Sequence, residues 1–194
     1  GVDELAEPIL AEAAKLAEGA IAPLDEAGDR IGARFDDGRV RLPDGYPEMF
    51  AAFADGGWKA LPFPENVGGQ NLPWALTFAV NEIVFAANLG FSNCPLLTQG
   101  AIDALWHHGT DDQQRRYLRH LTEGRWTGTM CLTEPQAGTD LGAVATRAVP
   151  AGDGWRLYGT KIYITFGEHD LAENIVHLVL ARLPDAPAGT RGLS

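Results

Sequence analysis

Hydrophobic positions along the first two-thirds of the chain recur at helical spacing. Leu5, Ile9, Ala13, Leu16, Ala20 and Leu24 fall near a 3.6-residue period and predict a helix over 3–22, with Pro8 in its first turns and Pro23 at its exit. Residues 25–47 lack such a period and read as a polar connector with a turn at Asp36-Asp37-Gly38. A short helix is expected from Pro47 to Gly56-Gly57, then a Pro/Gly-rich loop over 61–70. Pro73 opens a segment that is apolar nearly all round, the pattern of a buried bundle centre. A further helix is predicted over 95–108, stopped by Gly109. Thr110-Asp111-Asp112-Gln113 reads as a capping box for the next one.

At Gly124 the pattern changes. Segments 126–132, 146–149, 155–158, 161–165 and 175–181 are short, rich in β-formers and separated by Gly, Pro, Asp or Asn clusters. Ala151-Gly152-Asp153-Gly154 reads as a hairpin turn. The fold class is therefore α+β: an N-terminal helical domain over 1–125, then an incomplete, antiparallel, barrel-like β domain over 126–194. A sheet of about 70 residues with open edges is hard to stabilise alone, so the chain is expected to be part of a longer protein. Gly1 in place of Met points to a trimmed or tag-scarred start.

Composition narrows the function classes. Two cysteines, Cys94 and Cys131, exclude a disulfide scaffold, and no basic region followed by an apolar run suggests a secretory leader. The longest apolar segment, 74–89, is interrupted by Thr77, Asn81, Glu82 and Asn88, so no membrane span is expected and the cytoplasm is the simplest compartment. A net charge of −11 argues against a nucleic-acid partner. The charge is uneven: 10 Lys/Arg stand against 19 Asp/Glu up to Arg125, and 5 against 7 beyond it. An anionic ligand meets less repulsion in the second part.

Most catalytic constellations are missing. The chain holds only Ser92 and Ser194, neither in a G-x-S-x-G elbow, and its five histidines show no metal-ligand spacing. His177, in an apolar strand, is expected to be buried and hydrogen-bonded; Cys131 is expected to be a small buried strand residue. Two segments remain. In Met130-Cys131-Leu132-Thr133-Glu134-Pro135-Gln136-Ala137-Gly138-Thr139-Asp140, a strand runs into a turn that could show amides and two hydroxyls to an anion, or be a capped turn and nothing more. In Gly159-Thr160-Lys161-Ile162-Tyr163-Ile164-Thr165, strand alternation puts Lys161, Tyr163 and Thr165 on one face, either lining a planar ligand or forming the wet side of a sheet.

Taken in order, these two segments resemble the T-E-P-x-A-G-[ST]-D and G-x-K-x-[WYF]-I-[ST] motifs of the acyl-CoA dehydrogenase family. The resemblance covers essentially the whole chain, including 46–58, Gly68-Gly69-Gln70 and 112–121 in the helical part. Residues 167–171 and 175–187 resemble the branch of 3-methylmercaptopropionyl-CoA dehydrogenases and broad-range bacterial acyl-CoA dehydrogenases.

The resemblance implies FAD as cofactor and an acyl-CoA as substrate, oxidised to the trans-2-enoyl-CoA. It also implies an electron-transferring flavoprotein as electron acceptor and a homo-oligomer in the full-length form. It places Leu132 and Thr133 against the isoalloxazine ring, with the Thr133 hydroxyl or amide bonding its polar edge, Thr139 near the pyrophosphate, Tyr163 on the flavin face away from substrate and Thr165 near N5/O4. Gly138 and Thr139 would border the acyl-CoA entrance. Met130 stands where many members carry an aromatic residue at the flavin, and Tyr163 where many carry Trp. No residue here takes the role of catalytic base, because the family supplies it from a C-terminal helical domain; the chain alone is expected to be inactive. The competing readings are an acyl-CoA oxidase or flavin monooxygenase of the same fold, and a non-catalytic acyl-CoA- or protein-binding module.

Overall fold

The computed structural model describes residues 2–194; Gly1, and with it the reading of a trimmed start, lies outside them. The chain divides into two compact units. One comprises the residues up to Gly128 together with Glu168–Val176; the other comprises Thr129–Gly167 and His177–Ser194.

The first unit is helical. Helix α1 (Val2–Leu16) runs on through a π-helical turn, Ala17–Ile21, and a 3-10 turn that holds Pro23. Ala13, Ala17 and Ile21 form its buried stripe, while Leu5, predicted on the same face, is exposed. The polar connector contains structure that its sequence period does not announce: helix α2 (Asp25–Ile31) and a hairpin of β1 (Arg34–Asp36) and β2 (Arg39–Arg41). These strands are short and largely exposed, so no apolar alternation marks them. The predicted turn is present, with Asp37 and Gly38 both at positive φ, the geometry that matches strand twist.

Helix α3 (Tyr46–Asp55) buries Tyr46, Met49, Phe50 and Phe53. The loop after it is pinned by backbone bonds from Gln70 to Ala60, Asn71 to Phe63 and Leu72 to Leu61. Gly69 is required there: a Cβ would lie 1.9 Å from the Phe63 carbonyl oxygen. Helix α4 (Trp74–Ala87) buries Leu76, Thr77, Val80 and Val84. It is not the buried bundle centre that its composition predicts. Phe78 is 62% exposed, and with Phe85, Ala86 and Leu96 it borders an open cavity of about 500 Å³. An all-round apolar pattern shows what a helix can bury; one face of α4 has no cover within this unit.

Helix α5 (Leu89–His108) starts before the predicted residue 95, because Asn88 caps it: its side chain accepts from the Phe91 amide at 2.9 Å. Helix α6 (Asp111–Thr122) opens on the predicted capping box, with both reciprocal bonds formed, Thr110 N to Gln113 Oε1 at 2.8 Å and Gln113 N to Thr110 Oγ1 at 3.3 Å. Thr110→Ala should cost about 1 kcal/mol, read as a lowered thermal midpoint, with Thr110→Ser near the parent value. Phe63, Ile102, Leu105, Leu118 and Leu121 form a core cluster joined by Trp126 and Val176.

The segment 168–176 is tied into this unit by polar contacts. Leu171 N donates to His169 Nδ1 at 3.1 Å, so Nε2 of the neutral ring carries the proton given to Thr127 Oγ1 at 3.0 Å. Asp170 accepts from Leu42 N at 3.1 Å, and Arg125 pairs with Glu173 at 3.0 Å. Gly128 closes the unit: its N–H donates to Thr98 Oγ1, and a Cβ would lie 2.5 Å from that of Ala101.

The sheet-containing part is small. Strand β3 (Trp126–Cys131) pairs with β6 (Asn174–Val179), and β4 (Arg147–Ala151) pairs antiparallel with β5 (Gly154–Tyr158). Segment 161–165, predicted as a strand, joins no ladder. Its alternation fails at Tyr163, whose φ of +57 turns the chain into the left-handed region. Among the described residues no helix is long and apolar enough to cross a membrane.

Candidate functional site

Every residue predicted to hold a ligand lies in the second unit, and two loops organise them. The first leaves β3 at Cys131 and reverses tightly: Glu134 and Ala137 exchange both backbone bonds at 3.0 Å across Pro135-Gln136. Asp140 then accepts from Gly142 N at 2.9 Å, an Asx turn that starts a 3-10 turn, Leu141–Ala143. Gly138 and Thr139 stand at the exposed crest of this loop.

The second loop, 159–167, is clamped to the first. Ile162 N donates to the Thr133 carbonyl at 3.0 Å, and Lys161 Nζ donates to the Leu132 carbonyl at 2.8 Å. Lys161 also pairs with Glu134 Oε1 at 2.9 Å, both side chains being nearly excluded from water. The Glu134 carboxylate further accepts from Ala145 N at 2.8 Å and Thr146 N at 3.0 Å, and from the Gln136 amide. Burial opposes its ionisation, but donors from Thr146, the Ala145 amide and Lys161 outweigh this and hold the carboxyl well below the usual carboxylate range. Glu134 is thus a charged tie between the loops at neutral pH. It has no lone pair left for a substrate proton, consistent with its exclusion as a base.

Lys161 therefore does not share a face with Tyr163 and Thr165 as alternation predicts. It turns inward to Glu134, while Tyr163 and Thr165 are exposed. Tyr163 is 89% exposed, an aromatic ring held outward by an uncommon backbone conformation. Leu132 and Thr133 are half-buried, and Met130 is 40% exposed at the end of β3. Thr133 N–H and Oγ1, Thr139 Oγ1 and Thr165 Oγ1 have no protein partner among the described residues. An outward ring beside unspent donors suits a flat, polar-edged group: the ring offers a stacking face and the donors fix orientation. The Lys161–Glu134 tie is the part that sequence reading missed. An acid in the first motif and the one charged residue of the second were its only trace.

Strand residues nearby behave more plainly. Cys131 is buried, as expected. His177 is hydrogen-bonded, with Nδ1 2.6 Å from Thr129 Oγ1, but it is exposed and not buried as predicted. Among the described residues no group of three or more His, Cys, Asp or Glu could hold a metal ion.

The family model described as "Acyl-CoA dehydrogenase, N-terminal domain" matches residues 4–125, and "Acyl-CoA dehydrogenase, middle domain" matches 129–194. The chain is 58% identical over 175 residues to the 3-methylmercaptopropionyl-CoA dehydrogenase of Ruegeria pomeroyi, covering 90% of this chain and 30% of that protein. It is 38% identical over 200 residues to the broad-specificity linear acyl-CoA dehydrogenase FadE5 of Mycobacterium tuberculosis, covering 98% of this chain and 32% of that one. Its fold superposes on the butyryl-CoA dehydrogenase of Megasphaera elsdenii with a TM-score of 0.79 at 27% identity, over 97% of this chain and 46% of that one. The chain thus spans less than half the length of the proteins it matches. With two family models matched in order and the motif residues joined in one clamped pair of loops, the chain belongs to the acyl-CoA dehydrogenase family.

Proposed function

We propose that this chain forms the FAD- and acyl-CoA-binding part of an enzyme that oxidises an acyl-CoA thioester to the trans-2-enoyl-CoA. The observation that carries this reading is the clamped pair of loops, which leaves Thr133 with unspent donors and Tyr163 with an uncovered ring. FAD, when bound, would accept the hydride from the β-carbon. The chain's own residues bind and orient: Leu132 and Thr133 hold one part of the ring, Tyr163 covers a face and Thr165 offers a hydroxyl. Thr139 replaces a serine hydroxyl near the pyrophosphate, and Gly138 leaves the acyl-CoA entrance open. Met130 adds a polarisable thioether at the rim.

The α-proton must leave to a base that these residues do not supply, since Glu134 is spent on the loop tie. The complete protein would supply it, along with the rest of the FAD site. An electron-transferring flavoprotein would take the electrons, and the complete protein would be a cytoplasmic homo-oligomer. The domain assignment that accompanies this reading is 1–125 helical and 126–194 flavin- and acyl-CoA-binding.

The test is to purify the full-length protein and record its flavin absorbance band. Acyl-CoA should then bleach that band anaerobically as enoyl-CoA forms. Bleaching without oxygen separates this reading from a non-catalytic module. Turnover that needs oxygen and yields hydrogen peroxide would instead favour an oxidase. Within that protein, Tyr163→Ala should weaken FAD binding about tenfold by removing the stacked face, whereas Tyr163→Phe should leave it within twofold. Equilibrium titration of the apoprotein with FAD checks both.

A further inference from the structure

The backbone around Thr133 is fixed one peptide at a time. In the Thr133–Glu134 peptide both polar groups are used: the carbonyl accepts from Ile162 N and the amide donates to the Ala137 carbonyl. In the Leu132–Thr133 peptide only the carbonyl is used, and its donor is Lys161 Nζ at 2.8 Å. A trans peptide points its N–H opposite to its C=O. With the carbonyl drawn to Lys161, the Thr133 N–H is turned away from Lys161 and has no protein partner among the described residues.

A cation at the carbonyl end also polarises the amide, so the N–H is a stronger donor than an ordinary backbone group. Lys161 cannot drift from that carbonyl. Glu134 holds it at 2.9 Å, and Glu134 is held in turn by the Ala145 and Thr146 amides.

We propose that Lys161 is a positioning residue, whose ammonium, anchored by Glu134, aims and polarises the Thr133 N–H as a donor to the electron-accepting edge of the flavin. This rests on the flavin reading above. Hydride transfer brings negative charge to the ring, and a fixed donor at the polar edge favours the charged state over the oxidised one. Lys161 would thus raise the tendency of the cofactor to accept electrons without touching it.

The experiment uses the full-length enzyme with FAD bound and compares Lys161→Met, Lys161→Gln and Lys161→Arg with the parent. Three quantities are read: FAD affinity of the apoprotein, the flavin midpoint potential, and the anaerobic rate of flavin reduction at saturating acyl-CoA. In Lys161→Met the midpoint should move to lower potential and the reduction rate should fall about tenfold. This is less than deleting a donor outright, because the amide stays and only its aim and polarisation are lost. FAD affinity should change less than the rate does, and KM should stay within twofold. Lys161→Arg should recover most of the rate.

If Lys161→Met does not fold, Lys161→Gln decides, since it keeps a neutral donor to Leu132 and should still shift the midpoint downward. A folded, FAD-bound Met or Gln variant with parental midpoint and rate would overturn the proposal. Loss of FAD from both variants would also overturn it, because Lys161 would then support the whole site and not one donor. A parent enzyme without a flavin band would instead defeat the flavin reading itself, a separate and visible outcome.

Discussion

Replacing Glu134 by Ala should lower the stability of the chain by about 3–5 kcal/mol, the range for breaking one side of a buried ion pair. The substitution strands the Lys161 ammonium in a nearly dry site and removes the acceptor of the Ala145 and Thr146 amides. At this chain length about 2–4 °C of thermal midpoint accompanies each kcal/mol, so calorimetry should show a fall of about 10 °C. Glu134→Gln should fall between parent and Ala, because a carboxamide oxygen still accepts. The pH dependence has a definite sign. The carboxyl is held below its unfolded value of 4.5, so the stability it contributes is fully present above that pH. It is lost as pH falls from 4.5 through the lower folded value. The gap between parent and Glu134→Ala should therefore be constant from pH 5 to 7 and narrow in acid. A gap that widened below pH 4.5 would show that the charge of Glu134 is not what stabilises the loops.

The second large effect has the opposite direction. Lys59 is 1% exposed, and its Nζ has no hydrogen-bond partner among the described residues. It lies 5.4 Å from the centre of the Phe50 ring. Burial lowers its pKa from 10.5 to about 8, with Cys94 opposing weakly; burial likewise pushes the Cys94 thiol up to about 12. A cation so placed costs about 3 kcal/mol at neutral pH. Lys59→Met keeps the length of the chain and removes the charge, so the thermal midpoint should rise by roughly 6–12 °C at pH 7. The folded state holds fewer protons at this site than the unfolded state between pH 8 and 10.5. The penalty is thus full below 8 and relieved above it, and the advantage of Lys59→Met should fade towards pH 10.5. Because Cys94 interacts electrostatically with Lys59, the comparison is made with Cys94→Ala in both proteins, which removes its contrary effect. A gain that does not shrink in alkali would mean that packing, not charge, sets the difference.

What could be read from sequence followed from how local the cause was. The capping box of α6 and the reversal at Glu134–Ala137 are set by contiguous residues, and both formed as read. The helical part followed by strands was legible because the apolar period changes at Gly124. The clamp was not, because Lys161 meets Glu134 only after the chain has folded, and alternation gave it to the wrong side. Nor was the left-handed turn at Tyr163, a conformation no tyrosine advertises. The exposed side of α4 escaped for another reason: apolar composition predicts a wish for cover, and the cover is not within this unit.

The return of 168–176 to the helical unit has a consequence for synthesis. A ribosome that has delivered the six helices has not delivered Asp170, which accepts the Leu42 amide, or Glu173, which pairs with Arg125. His169, whose ring bridges Leu171 and Thr127, is also still to come. The intervening stretch from Thr129 to Gly167 must be made first. The nascent helical unit therefore waits, incompletely closed, while most of its neighbour emerges. The two units are thus interleaved along the chain, although each is compact in itself.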